Sequence, residues 1–306
     1  MQEVFYIKFF LSKITQGQIA VLAKTLSHDR KEITMQLYIS DLDGTLLDRN
    51  AEITEYTKTA LNRLIAKGMN FTVATARTYS SAGRILAGLD LQLPIVLMNG
   101  VLIYHPVRHE YEVINTLADA DAERIISLCG EHGLSPFMYL MNGSVMSTAY
   151  SKLTNQAMKD FLDERVQKYG KAFIHTDNLT EAEGDVIYFC FLDDYKKLAP
   201  MQEALSGMPS LKTAFYHDIY GDEWYLEVFS AEASKESGVR YLREKYGFEK
   251  ITAFGDNLND LPMFAAADER IAVSNAAEEL IKTSHRVIGA NTEDGVAKYL
   301  EELYNG

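Results

Sequence analysis

The sequence predicts an α/β fold, a Rossmann-like parallel sheet core with an inserted α/β cap domain. Three observations predict it. Short apolar strands alternate with amphipathic helices from residue 36 onward, several of these strands end in a small polar or acidic residue, and the rhythm changes between about residues 118 and 230 before it resumes. With 306 residues the chain has room for two domains, and 47% hydrophobic against 24% charged residues suits a folded body with a real core.

The elements follow in order. Leu37-Tyr38-Ile39 is apolar and runs into Ser40-Asp41. Residues 54–67 read as a helix with Leu61, Leu64 and Ile65 on one face, stopped by Gly68. Phe71-Thr72-Val73-Ala74 is a strand that ends in Thr75, and Pro94-Ile95-Val96-Leu97-Met98 is another that ends in Asn99-Gly100. The altered rhythm then brings helical stretches at 119–132, 152–169 and 194–206, with strands at 186–191 and 225–229 rich in aromatic and β-branched residues. Lys235 opens a helix that ends near Gly247. Ile251-Thr252-Ala253-Phe254 leads to Gly255-Asp256, Ile271-Ala272-Val273 to Ser274-Asn275, and Val287-Ile288 to Gly289. A last helix, about 293–304, turns Val296, Tyr299, Leu300 and Leu303 inward. The expected division is a core of residues 35–117 and 231–306 with residues 118–230 as the insert.

Residues 1–34 carry no strand-turn-carboxylate pattern and are read as an N-terminal extension. Lys31-Glu32 can be encoded by a ribosome-binding sequence two codons before Met35. Two readings therefore stand: an upstream artefact that is not translated natively, or a helix that docks or dimerises.

A net charge of −13 opposes broad binding to nucleic acid or anionic membranes. Cys129 and Cys190 lie among apolar neighbours and are expected to be buried, reduced thiols, which points to the cytoplasm. No apolar run approaches the roughly 18 residues that span a bilayer. Residues 2–11 faintly resemble a secretion signal, but Glu3 and Lys8 interrupt the pattern.

In open α/β sheets ligands bind beyond the carboxyl ends of the strands, so Asp41, Thr75, Asn99, Asp256 and Asn275 are expected around one crevice. The richest segment is Asp41-Leu42-Asp43-Gly44-Thr45-Leu46-Leu47. One carboxylate there can attack phosphorus, and the second can protonate the leaving oxygen and then deprotonate water. Thr45 is expected to orient Asp43. The bland alternative is an Asx-turn or helix cap. Gly255-Asp256-Asn257-Leu258-Asn259-Asp260 is the second segment, with a capped helix start as its bland alternative. If Asp41, Asp43, Asp256 and Asp260 converge, like charges near 4 Å repel by about 4 kcal/mol per pair at an effective dielectric of 20. A phosphate dianion adds to that burden. Mg²⁺ bridging Asp41, the Asp43 carbonyl and Asp256 would relieve it. Thr75-Ala76-Arg77 offers a hydroxyl and N–H groups to an anion, or else a helix cap. Lys235 sits where a helix dipole disfavours it, which points to function, although an exposed lysine is the plain alternative.

Together DLDGTLL, ATAR at 74–77, Asn99-Gly100, Lys235, GDNLND and Asn291 with Asp294-Gly295-Val296-Ala297 resemble the haloacid dehalogenase superfamily of phosphatases, in particular its Cof-like branch with a large α/β cap. The resemblance spans about residues 36–304. It implies Asp41 as nucleophile and metal ligand, Asp43 as general acid and base that ligates through its carbonyl, and Asp256 as metal ligand with Asp260 behind it. It also implies phosphate contacts from Thr75, the Ala76 N–H and Asn259, and a Lys235 that stabilises the carboxylate–phosphate charge. Ala76 departs from the glycine usual in that branch. The expected activity is Mg²⁺-dependent hydrolysis of small phosphate monoesters, such as sugar phosphates or phosphorylated cofactors, through an aspartyl phosphate. A phosphotransferase or sugar-phosphate mutase, and a non-catalytic phosphate-binding module, are the alternatives. The expected partner is a small phosphorylated metabolite, and the chain is a monomer or homodimer. Within the cap, Tyr139, Tyr188, Tyr216, Trp224 and Tyr225 either stack on a substrate ring or pack into the core.

Overall fold

A computed structural model of the chain describes residues 35–217 and 223–305, so the readings made for residues 1–34 lie outside it. β1 (Gln36–Ser40) is buried along almost its whole length. The loop after it leads to α1 (Glu55–Ala66), where the Thr54 side chain accepts from the Thr57 N–H and so caps the helix. β2 (Asn70–Val73), α2 (Tyr79–Ile85), β3 (Ile95–Leu97), β4 (Leu102–His105) and β5 (Glu110–Ile114) complete the first part. The insert holds α3 (Asp119–His132), β6 (Phe137–Asn142), β7 (Val145–Tyr150), α4 (Gln156–Tyr169), β8 (Phe173–His175), β9 (Asp185–Asp193), α5 (Tyr195–Ser206), β10 (Leu211–His217) and β11 (Trp224–Ser230). The chain then returns through α6 (Lys235–Tyr246), β12 (Lys250–Gly255), α7 (Leu261–Ala266), β13 (Glu269–Val273), α8 (Glu278–Thr283), β14 (Arg286–Ile288) and α9 (Gly295–Asn305).

The main sheet is parallel throughout, in the order β14-β13-β12-β1-β2. The chain leaves β1 toward β2 and comes back on the other side at β12. The strand order therefore reverses between β1 and β12, and the crevice beyond their carboxyl ends is the expected ligand site of such a sheet. Asp41 follows β1 and Asp256 follows β12, which places both carboxylates at that switch point.

β3 departs from the expected parallel alternation. It pairs antiparallel with β4 in a separate three-stranded sheet, and a lone parallel bridge between Ala74 and Val96 links it to the main sheet. The hairpin β4–β5 supplies that alternative partner and was not legible as a strand pair.

The six strands of the insert run β10-β11-β9-β6-β7-β8. Alternation sorts their side chains. Met138, Leu140, Phe189, Phe191, Leu226 and Val228 pack with Leu128 of α3 and with Leu198, Met201 and Leu205 of α5. The other face carries Tyr139 opposite Tyr188, Cys190 opposite Glu227, and Tyr216 opposite Tyr225. The five aromatic residues thus divide, since Trp224 joins the helix-covered face whereas the four tyrosines line a cavity above the main sheet.

Both cysteines are buried and free, as expected. On α9, Val296, Tyr299 and Leu300 are buried, but Leu303 is 49% exposed, so the inward stripe ends one turn earlier than the periodicity implied. Among the described residues no helix is long and apolar enough to cross a membrane.

Candidate active site

The site grows from the ends of β1 and β12. Asp41 is held by its own N–H, which donates to Phe254 O at 3.0 Å, so the strand pairing continues through the first carboxylate residue. Gly44 then turns the chain with φ +76°. A Cβ there would lie 2.3 Å from Asp256 Oδ2, so glycine is required both by the turn and by the close approach to that carboxylate. Asn275 Nδ2 donates to Gly44 O at 2.8 Å and pins the same loop from the end of β13.

Asp41, Asp256 and Asp260 each present a carboxylate oxygen within 4.8 Å of the others. Lys235 enters from the first residue of α6, only 1% exposed, and its Nζ donates to Asp41 Oδ1 at 2.6 Å and Asp260 Oδ1 at 2.7 Å. The plain alternative of an exposed lysine is therefore excluded. Asp260 Oδ2 accepts from the N–H groups of Asp256 and Asn257 at 2.9 and 3.1 Å, so both its oxygens are engaged. Asp256 Oδ1 accepts from Thr45 Oγ1 at 2.9 Å. That bond corrects the expectation for Thr45, which orients Asp256 rather than Asp43.

Electrostatics of the cluster follow from burial. Three carboxylates face one ammonium, an excess of two negative charges. Burial, then the neighbouring Asp260 charge, pushes the Asp256 carboxyl up to about 6. Burial likewise raises the Asp41 carboxyl well above its ordinary value, with Lys235 opposing. Desolvation alone would depress Lys235, but Asp260 and Asp41 beside it raise it, so it stays an ammonium. The donor set suits a hard dication. Asp41 Oδ2 and Asp256 Oδ2 carry no hydrogen bond among the described residues, whereas Asp260 is fully used in holding Lys235 and the turn. One or two free carboxylate oxygens in an electron-rich, all-oxygen pocket fit Mg²⁺.

Asp43 stands apart from this cluster. Its side chain is half exposed and clasped by Arg77, with Nε to Oδ2 at 2.7 Å and Nη2 to Oδ1 at 2.5 Å. Arg77 lay inside a segment singled out in the sequence, yet no role was read for it. A guanidinium two residues past a strand-end threonine was the available signal. Thr75 is buried and its Oγ1 accepts from the Arg77 N–H at 3.1 Å, a turn rather than a helix cap, since Thr78 precedes α2. Ala76 is exposed and lines the cavity. Asn259 is exposed and its side chain makes no hydrogen bond among the described residues, so it is placed near the cluster but not joined to it. Asn99 lies in a loop in which Met98, Asn99 and Gly100 all have positive φ, and its N–H donates to Thr75 O at 3.0 Å. That loop braces the Thr75 turn against the start of α6.

Above these residues lies a cavity of about 610 Å³. Asp43, Ala76 and Arg77 border it from the main-sheet side, and Tyr139, Lys171, Tyr188 and Glu227 from the insert.

The family model described as haloacid dehalogenase-like hydrolase matches residues 38–300. A 5-amino-6-(5-phospho-D-ribitylamino)uracil phosphatase of Bacillus subtilis is 29% identical, over 89% of this chain and 99% of its own length. A pyridoxal phosphate phosphatase of Escherichia coli is 24% identical, over 88% of this chain and 98% of its own. Among solved structures, a haloacid dehalogenase-like hydrolase from Bacteroides thetaiotaomicron superposes with a TM-score of 0.73 at 23% identity. That match covers 88% of this chain and 99% of the other.

Proposed function

The chain belongs to the haloacid dehalogenase-like hydrolases, and on that premise we propose that it hydrolyses small phosphate monoesters by nucleophilic attack of Asp41. Its class, a phosphoric monoester hydrolase, rests on curated relatives named as phosphatases. The observation that carries the finer reading is the meeting of Asp41 and Asp256 at the sheet's switch point, with Lys235 locked on the first of them.

A carboxylate oxygen of Asp41 forms a bond to phosphorus while the bond from phosphorus to the ester oxygen breaks. Asp43, once freed from Arg77 and carrying a proton taken up from solvent, gives that proton to the ester oxygen, so the leaving group departs as a neutral alcohol and an aspartyl phosphate remains. Asp43, now a carboxylate, takes a proton from water, whose oxygen attacks phosphorus and releases phosphate with Asp41 restored. Lys235 holds Asp41 in place and offsets its charge. Thr75 and the Ala76 N–H receive phosphoryl oxygens, with Asn259 contributing from the next loop. Arg77 clasps Asp43 at the cavity border and releases it to the leaving oxygen when an ester binds. Asp41, Asp256 and the Asp43 carbonyl are the groups that would hold Mg²⁺, with Asp260 supporting them. What that cation supplies when bound is neutralisation of the negative charge shared by carboxylates and phosphoryl group. Residues 118–230 act as a cap over the site, and the small phosphorylated substrate enters between the two layers.

Turnover of p-nitrophenyl phosphate with and without Mg²⁺, compared with Asp41→Asn, tests this reading. Metal-dependent hydrolysis is expected, with a loss of at least about a thousandfold in the variant. Phosphate appearing on an added sugar acceptor instead of water would replace hydrolysis with transfer. Turnover that survives Asp41→Asn would remove the nucleophile assignment.

A further inference from the structure

Every carboxylate that lines the cavity has a partner. Asp43 is clasped by Arg77, Glu164 pairs with Arg165 at 2.7 Å, and Glu227 accepts from Tyr216 at 3.1 Å and from Tyr188. Lys171 has none. It is 8% exposed, lines the cavity, and among the described residues makes neither an ion pair nor a side-chain hydrogen bond. Its Nζ lies 3.7 Å from the centre of the Tyr139 ring, a contact that holds a cation without neutralising it.

The position is built rather than accidental. Gly170 ends α4 in the left-handed conformation, and the Lys171 N–H donates to Arg165 O at 3.2 Å, which closes the helix and fixes where the lysine leaves it. One residue later, Ala172 O accepts from the Thr148 N–H at 3.2 Å and ties the chain to β7. A charged group so placed is costly to bury unless something pairs with it. Burial, with Arg165 nearby, accordingly pushes its pKa down to about 7, a cost that an arriving anion removes.

We propose that Lys171 is a specificity-determining residue that receives an anionic oxygen on the leaving group, so that the preferred substrate is a phosphate monoester with a second negative group. This rests on the phosphatase reading, since the phosphate itself is assigned to Asp41, next to the border that Asp43 and Ala76 give the cavity. The recognisable chemistry is a carboxylate or a second phosphate. A neutral polyol would leave the ammonium without an ionic partner.

Two matched pairs test this. In 3-phosphoglycerate and glycerol 3-phosphate the same three-carbon skeleton carries either a carboxylate or a hydroxyl. Fructose 1,6-bisphosphate and fructose 1-phosphate compare a second phosphate with a hydroxyl. For at least one pair the wild-type kcat/KM ratio, anionic over uncharged, is expected to exceed about tenfold. Lys171→Met is expected to bring that ratio to about one, and Lys171→Arg to keep most of it. A purely structural role would lower both members of a pair together and leave the ratio unchanged. Hydrolysis of p-nitrophenyl phosphate with no anionic preference in either pair overturns this inference and leaves the phosphatase reading standing. So does a preference that survives in folded Lys171→Met. Absence of turnover on every ester, p-nitrophenyl phosphate included, overturns both.

Discussion

Gly44 shows how one residue without a side chain sets the chemistry of its neighbours. Its φ of +76° turns the chain between Asp43 and Thr45, and the missing Cβ lets that turn lie against the Asp256 carboxylate. A methyl group placed 2.3 Å from Asp256 Oδ2 cannot be absorbed, because Thr45 Oγ1 already fixes the other oxygen. Asp256 must then shift from its place beside Asp41. Displacements of about 1 Å at a reacting centre cost roughly a hundredfold in rate. Gly44→Ala is therefore expected to lower kcat on p-nitrophenyl phosphate by at least about a hundredfold, while the far-ultraviolet circular dichroism stays as in the wild type. A rate within threefold of wild type would show that the loop has slack that the geometry does not reveal. Residue type alone made Gly44 legible as a turn, but its contact with a carboxylate from β12 was not, because nothing local encodes which loop faces it.

Elements were legible where periodicity and punctuation agreed. α1, α3, α5 and α6 lie within a few residues of their expected limits, each ended by a glycine or starting at a polar cap, and β1, β12 and β13 run directly into the polar residues Asp41, Asp256 and Ser274 at the sheet edge. Antiparallel strands were harder to read. β5, β7 and β10 lack a long apolar run. The connection between β3 and α6 belongs to the same class. Three successive residues of positive φ end β3, and Gly100 lies so close to Ser234 that a Cβ would stand 2.1 Å from its carbonyl oxygen. Ser234 caps α6, and Lys235 is the next residue, so this contact fixes the height of the helix that delivers the lysine. Gly68 is a natural control, with a φ of +96° close to the +95° of Gly100 and no described atom within 4 Å of its Cβ position. Gly68→Ala should cost about 1 kcal/mol, the backbone penalty alone. Gly100→Ala adds overpacking and is expected to cost at least about 2 kcal/mol more in urea unfolding. Equal midpoints for the two variants would mean that the loop and helix slide without penalty.

At the scale of the whole molecule, stability and recognition pull against each other in the cavity between the two layers. The layers are held by large apolar clusters, and the insert's second face sets ionisable groups such as Lys171 and Glu227 among apolar side chains above the main sheet. Lys171 is the group where the conflict is sharpest, and linkage gives its sign. Its pKa falls from the ordinary lysine value of 10.5 to about 7 in the folded chain, chiefly through burial and secondarily through Arg165, with Cys190 acting in the opposite sense. Tyr139 and Phe173 face the same ammonium with their rings and contribute no charge near neutrality. Below about pH 7 both folded and unfolded chains carry the proton, and folding bears the full cost of burying an ammonium. Between about pH 7 and 10.5 the unfolded chain binds more protons than the folded one, so stability from this residue rises with pH. The gain is complete above 10.5, is lost progressively as pH falls from there, and is gone by about pH 7. Lys171→Met has no proton to lose and keeps the apolar stem. It is therefore expected to melt above the wild type at pH 6, by more than about 2 °C, with the difference shrinking steadily by pH 9. Paired melting curves across that range, taken without added phosphate ester, measure it. A difference that stays flat or widens toward high pH would show that the lysine is not buried as a cation, and would remove the electrostatic reason for it to seek an anionic partner.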